Sequence, residues 1–218
     1  MSGILYLVAT PIGNLGDFSP RAVDTLQQVD FIAAEDTRVS LKLLNHFGIK
    51  KQLISYHEHN QATAGPAIVD RLLGGESCAL VTDAGMPAIS DPGEGLVRIA
   101  AESGIEVQAI PGCCAAIAAL AVSGLPTGRF TFEGFLSMNK KSRREHLQSL
   151  KSEKRTMIFH EAPHKLPATL RTLQRPLALT APLHSLASSP SSTRRPCAAP
   201  WAKPSPTTRS TIPGANMC

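Results

Sequence analysis

Hydrophobic and polar positions follow two alternating rhythms along the first 174 residues. Short apolar, β-rich runs predict strands at Ile4–Ala9, Asp30–Ala34, Leu53–Tyr56, Cys78–Thr82, Glu106–Ile110, Phe130–Phe135 and Thr156–His160. Between them, helical patterns cover Pro20–Gln28, Arg38–Phe47, Ala62–Leu73, Gly93–Ser103, Ala115–Ser123, Ser142–Lys151 and Pro163–Leu173. Strand–helix alternation with short connections predicts an α/β fold whose sheets are mostly parallel. Several strands are continuous apolar runs, the pattern of strands covered on both faces.

The turn Ile110-Pro111-Gly112 ends one such series and opens another, which predicts two domains. Residues 1–111 form an N-terminal α/β domain with five strands, and residues 112–174 form a partial C-terminal α/β domain with two. The rhythm breaks after Gln174, in the middle of a helical pattern. Residues 175–218 hold eight prolines, no acid and no strand or helix period. Such a segment reads either as a disordered linker or as translation out of frame, and in both readings it does not pack.

Composition changes this picture only in places. A chain of 218 residues with 43% hydrophobic content can bury a real core. No apolar run is long enough to span a bilayer, and the N-terminus lacks a basic region before its first apolar run. A cytoplasmic protein without a membrane partner is therefore expected. The five cysteines have no metal-ligand spacing and read as reduced thiols. The net charge of +5 is carried by the tail residues Arg175, Arg194, Arg195, Lys203 and Arg209; the first 174 residues are neutral overall. Nucleic-acid binding would therefore need a local patch, and Lys140-Lys141-Ser142-Arg143-Arg144 is the best one, with a solvated helix start as the alternative.

Three segments stand at strand ends, where open α/β sheets bind ligands. Thr10-Pro11-Ile12-Gly13-Asn14-Leu15-Gly16-Asp17 permits a tight turn but has neither dinucleotide nor Walker spacing. Thr82-Asp83-Ala84-Gly85-Met86-Pro87-Ala88-Ile89-Ser90-Asp91-Pro92-Gly93 is a long connection whose small residues let a flat ligand approach the backbone. Asp91 there reads also as a helix cap, with Pro92 in the first helical turn. Ile110-Pro111-Gly112-Cys113-Cys114-Ala115 brings a helix start to a strand end, and its thiols read as packing residues before nucleophiles.

Two more clusters carry polar chemistry. In Ala34-Glu35-Asp36-Thr37-Arg38 the acids suit a hydroxyl and the arginine a phosphate; equally, Asp36 or Thr37 caps the next helix and Arg38 is solvated. His57-Glu58-His59 has the form of a strand-end metal pair, but surface histidines are the better reading, and no metal is expected.

The motifs TPIGNLGD, AEDTR, VTDAGMPAISDPG, PGCCAAIAAL, EGFL and FHEAPH occur in that order over residues 3–174. Together they resemble the tetrapyrrole-methylase superfamily and, within it, the RsmI family of small-subunit ribosomal RNA (cytidine 2′-O)-methyltransferases. The resemblance implies a two-domain tetrapyrrole-methylase-like fold, a homodimer, S-adenosylmethionine in a cleft between domains, and 16S rRNA of the small ribosomal subunit as partner. It implies cofactor contacts at Asp83, Ala84, Gly85, Met86, Pro87 and Ile89, at Cys114 and Ala115, at Pro11 and Ile12, and at Glu161. Glu35, Asp36 and Arg38 become the candidate catalytic residues, and Lys140, Lys141, Arg143 and Arg144 the RNA contacts. Met86 stands where threonine is commoner, and Cys113 where proline is usual. The family continues for roughly another hundred residues, so the second domain is expected to be incomplete. Two other readings stay open: a methylase of a tetrapyrrole or other small molecule, and an inactive truncated remnant.

Overall fold

The computed structural model describes residues 2–177. The expected tail from residue 178 onward lies outside the described residues. The chain divides into two units, Met1–Ala115 and a second beginning at Ala116.

The first unit holds strands β1 (Ile4–Val8), β2 (Phe31–Ala34), β3 (Gln52–Ser55), β4 (Cys78–Val81) and β5 (Glu106–Ile110). All pair in parallel, in the order β3-β2-β4-β1-β5. Four helices connect them: α1 (Pro20–Gln28), α2 (Thr37–His46), α3 (Gln61–Leu73) and α4 (Glu94–Glu102). Right-handed crossovers send α1 and α2 to one face, because the chain moves outward from β1 to β3, and α3 and α4 to the other as it returns. The side chains agree. Leu5, Phe31, Ala33, Cys78 and Leu80 pack with Ile68 and Leu72 of α3 and Leu96 and Ala100 of α4. Their strand neighbours Val8, Ile32, Ala34, Ala79 and Val81 pack with Ala22 and Leu26 of α1 and Leu44 of α2. A side-chain period of two thus divides the apolar strands between two cores.

Local chemistry sets the helix ends. Ser19 accepts from the Ala22 amide ahead of Pro20, which starts α1 where its missing N–H costs nothing. The connections after β1 and β4 depart to opposite faces of the sheet, which makes the carboxyl ends of these neighbouring strands the topological switch point.

The second unit holds α5 (Ala115–Val122, entered from the first unit), β6 (Phe130–Phe135), α6 (Lys140–Ser149), β7 (Thr156–His160) and α7 (Leu166–Leu177). β6 and β7 pair in parallel, with an irregularity between Phe132 and Gly134. Leu136, Leu147 and Leu173 form its small core. α6 begins two residues earlier than its apolar pattern predicts. The side chain of Asn139 accepts from the Lys141 and Ser142 amides and fixes the start there. α7 begins later than predicted because Pro163–Lys165 is a 3-10 turn, and it continues past the expected break after Gln174. Among the described residues, no helix is long and apolar enough to cross a membrane.

Candidate functional site

The site is built on loops at the switch point. Thr10, just beyond β1, and Gly85, beyond β4, form an isolated antiparallel bridge. The Thr10 N–H donates to the Gly85 carbonyl at 2.9 Å, and the Gly85 N–H donates back to the Thr10 carbonyl at 3.1 Å. The Thr10 hydroxyl adds a bond to the Thr82 carbonyl at 3.0 Å and lies 3.2 Å from the Gly85 amide nitrogen. Both threonines are buried, so these bonds satisfy groups that have no water to turn to. The β4 loop is thereby pinned to the loop after β1.

Gly85 has φ +97°, and a Cβ there would stand 3.4 Å from Ile12 Cγ2 and 3.7 Å from the Cys113 carbonyl oxygen. Three predicted contact segments therefore converge: the Pro11-Ile12 turn, the Asp83–Pro87 loop and the start of the Pro-Gly-Cys turn that leads to Cys114 and Ala115. Pro11, Ile12, Gly85 and Pro87 are buried, Met86, Cys114 and Ala115 half-buried, and Asp83, Ala84 and Ile89 exposed. Ala88 and Ser90 further along hold φ of 66° and 64°, a left-handed conformation that L side chains adopt at a cost. Glu161 belongs to the second unit, where its carboxylate accepts from the Thr169 hydroxyl at 2.6 Å and the Ala162 amide at 2.8 Å.

The expected capping role of Asp91 is not what the structure has. α4 opens at Glu94 behind Gly93, which makes no side-chain cap. Gly93 has φ +146°, and any Cβ would lie 2.9 Å from Leu80 Cδ2. The chain reverses on this glycine, so Asp91 and Pro92 stay in the loop. Asp91 instead faces a group of carboxylates. Burial, reinforced by the charges of Glu35 and Asp83, pushes its carboxyl up to about 6.

Glu35 and Asp36 straddle the end of β2. The Asp36 N–H donates to Asp83 Oδ1 at 3.2 Å, and the Asp83 N–H donates to Glu35 Oε2 at 3.4 Å. Burial raises the Glu35 carboxyl, opposed by the Asp83 N–H and aided by the charges of Asp83 and Asp36. Burial also raises Asp83. Asp36 behaves differently. It caps α2, accepting from the Arg38 amide at 2.8 Å, and takes the Arg38 guanidinium in a fork at 3.0 and 2.6 Å. Those bonds hold its carboxyl down at about 2. Of the two readings of this motif, capping by Asp36 is what the geometry contains. The Arg38 side chain remains 87% exposed.

Behind Glu35 a cavity of about 960 Å³ opens at the carboxyl ends of β2, β3 and β4. Tyr56, His57, Asp91, Glu94 and Arg98 line it together with Glu35. Sequence reasoning missed it, since its walls come from loops far apart in the chain. It also placed both histidines of the His-x-His run on the surface. His59 is exposed, but His57 is half-buried and its Nδ1 is enclosed without a hydrogen-bond partner. Among the described residues, no group of three or more His, Cys, Asp or Glu is arranged to hold a metal ion.

The predicted RNA contacts lie on α6 in the second unit. Lys140, Lys141 and Arg144 are exposed, while Arg143 is half-buried and donates from Nε to the Ser137 carbonyl at 3.0 Å.

A doubly wound parallel sheet with pinned, glycine-shaped loops at its switch point defines an α/β domain of the class whose ligand sites lie at the strand ends. Residues 4–185 match the family described as Tetrapyrrole (Corrin/Porphyrin) Methylases. The chain belongs to that family. It is 59% identical over 172 residues to the ribosomal RNA small subunit methyltransferase I of Synechocystis sp., covering 79% of this chain and 62% of that protein. It is 58% identical over 168 residues to the protein of the same name from Halalkalibacterium halodurans, covering 77% of this chain and 58% of that one. The chain thus spans about six-tenths of the length of these curated relatives. The crystal structure of uroporphyrin-III-C-methyltransferase from Thermus thermophilus has the same fold, with a TM-score of 0.58 at 19% identity, over 86% of this chain and 80% of that one.

Proposed function

We propose that this chain acts in the cytoplasm, as part of a homodimer, in S-adenosylmethionine-dependent 2′-O-methylation of a cytidine in small-subunit (16S) ribosomal RNA. The observation that supports it most is the Thr10–Gly85 bridge, which fixes the Asp83–Pro87 loop at the switch point beside Glu35. The printed names of the relatives, and the order of motifs over residues 3–174, supply the substrate class.

The residues fit the cofactor. Gly85 is buried with its N–H and carbonyl held by Thr10, and Asp83, Ala84 and Ile89 offer exposed surface beside it. Met86, Pro87, Pro11, Ile12, Cys114 and Ala115 back that surface, and Glu161 is assigned to the same role from the second unit. When bound, S-adenosylmethionine supplies an electrophilic methyl group. The acceptor hydroxyl must be held in line with it and relieved of its proton. Glu35 and Asp36 stand where a hydroxyl can be oriented, and burial, which raises the Glu35 carboxyl, makes it a better proton acceptor than an ordinary carboxylate. Asp36 sets Arg38, whose exposed guanidinium meets a phosphate. Lys140, Lys141, Arg143 and Arg144 on α6 meet the RNA backbone.

The second reading, methylation of a tetrapyrrole, fits the electrostatics poorly. Such substrates are polycarboxylates, and burial already raises the carboxyl groups of Glu35, Asp83 and Asp91, with the charges of Glu35 and Asp83 adding to it at Asp91. The test is incubation of the full chain with labelled cofactor and small ribosomal subunits that lack the mark. Label in the RNA is expected. Label only in a porphyrinoid acceptor would favour the second reading, and cofactor binding without transfer would leave a binding remnant.

A further inference from the structure

The cavity behind Glu35 is not lined by the Asp83–Pro87 loop, so the predicted cofactor contacts leave it unassigned. Its walls carry Glu35, Glu58, Asp91 and Glu94 against the one guanidinium of Arg98, with His57 and His59 between them. Such a lining repels phosphate and attracts groups that donate hydrogen bonds. Pro66 and Ile99 supply apolar surface. A volume of about 960 Å³ is ample for a base and its ribose. The cavity also reaches the loop directly, because its wall residue Glu35 accepts from the Asp83 N–H.

We propose that this cavity receives the acceptor nucleoside, with carboxylates meeting the exocyclic amine and ribose hydroxyls while the phosphates stay outside. The inference rests on the RNA methyltransferase reading and adds the acceptor site to it. Sequence-specific RNA recognition reads unpaired, splayed-out nucleotides, and an acidic pocket selects the base and sugar of such a nucleotide over its backbone. Basic residues elsewhere then hold the phosphates.

The test titrates cytidine and cytidine 5′-monophosphate into the full chain, its Asp91→Asn variant and its Gly95→Leu variant. Gly95 is a filling position: a Cβ there meets only the Gln61 Oε1 at 3.8 Å and the Tyr56 hydroxyl at 3.9 Å, ordinary contacts. Cytidine is expected to bind, and the monophosphate to bind about tenfold more weakly. Each variant that folds is expected to weaken cytidine by about tenfold or more, through a lost acceptor or a filled space. Absence of cytidine binding, unchanged affinity in either folded variant, or tighter binding of the monophosphate overturns the proposal. So does displacement of cytidine by S-adenosylhomocysteine, which would give the cavity to the cofactor. Direct S-adenosylhomocysteine binding, measured on the same sample, reports on the methyltransferase reading by itself; cytidine binding without it would sink that reading and leave the pocket.

Discussion

Thr10 and Gly85 exchange two backbone hydrogen bonds across the carboxyl ends of adjacent parallel strands, and that exchange is antiparallel. Two chains leaving parallel strands can pair this way only if one of them doubles back, which the positive φ of Gly85 permits. Gly85→Ala should therefore lower stability by about 1–2 kcal/mol. It should weaken S-adenosylhomocysteine more than that strain alone implies. Denaturant unfolding and calorimetric titration on one preparation compare the two effects.

Thr10→Val keeps the shape of the side chain and removes its hydroxyl. The buried Thr82 carbonyl then loses the bond it receives at 3.0 Å. A loss of about 1–2 kcal/mol is expected in urea unfolding. A neutral result would mean that the backbone bridge alone holds the loop.

Asp91 gives a pH dependence whose sign is fixed by its raised carboxyl. Below the ordinary aspartate range the group is protonated in both folded and unfolded chains and costs nothing. As pH rises toward about 6 and beyond, the unfolded chain ionises more readily, so the fold is penalised. Asp91→Asn should raise the melting temperature by about 2–4 °C at pH 8 and leave it nearly unchanged at pH 4. Equal shifts at both pH values would show that its charge is not what matters.

Asp36 carries the opposite sign. Its carboxyl is held down at about 2 by Arg38, so its contribution is present above the ordinary range and lost as pH falls toward that value. Asp36→Ser keeps a capping oxygen and should melt close to the parent at neutral pH, whereas Asp36→Ala should melt lower. Arg38→Ala removes the guanidinium that holds Asp36 down, so it should cost a small part of that pH-dependent stability, as an exposed pair does, and weaken RNA binding. Thermal melts alongside a filter-binding assay separate cap from contact.

On α6, Lys141→Ala and Arg144→Ala should each weaken RNA binding across sequences and reduce the salt slope by about one phosphate contact. Arg143→Ala should in addition lower the melting temperature, because its Nε bond to the Ser137 carbonyl is lost. Affinities measured over a salt series make the distinction.

Much of the fold was legible because its strands are short apolar runs between strongly periodic helices. β5, β6, β7 and α1 fall on their predicted bounds. Where bounds moved, a local cap or turn decided it, as at Asn139 before α6. The strand order was not legible, since nothing in a linear pattern says that β4 lies between β2 and β1. The polar residues were read less well for the same reason. Asp91 looked like a cap because Pro92 follows it, but the turn at Gly93 is set by the nearness of Leu80, a residue of another element. His57 looked like a surface residue until β3 and α4 were brought together around it. Both readings of Asp36 were legible, and only its bond to the Arg38 amide shows that it caps α2.

Ala88 and Ser90 hold left-handed backbone inside the long loop, with no glycine at either place. Glycine there would relieve strain in the folded chain but widen the choices of the unfolded one, and these opposing effects are of similar size. Stability is thus nearly the same for glycine as for the small residues present at these two positions, whereas the width of the loop's conformational distribution is not. They form an axis along which descendants of this sequence can vary the shape presented to a ligand while the sheet beneath stays as it is.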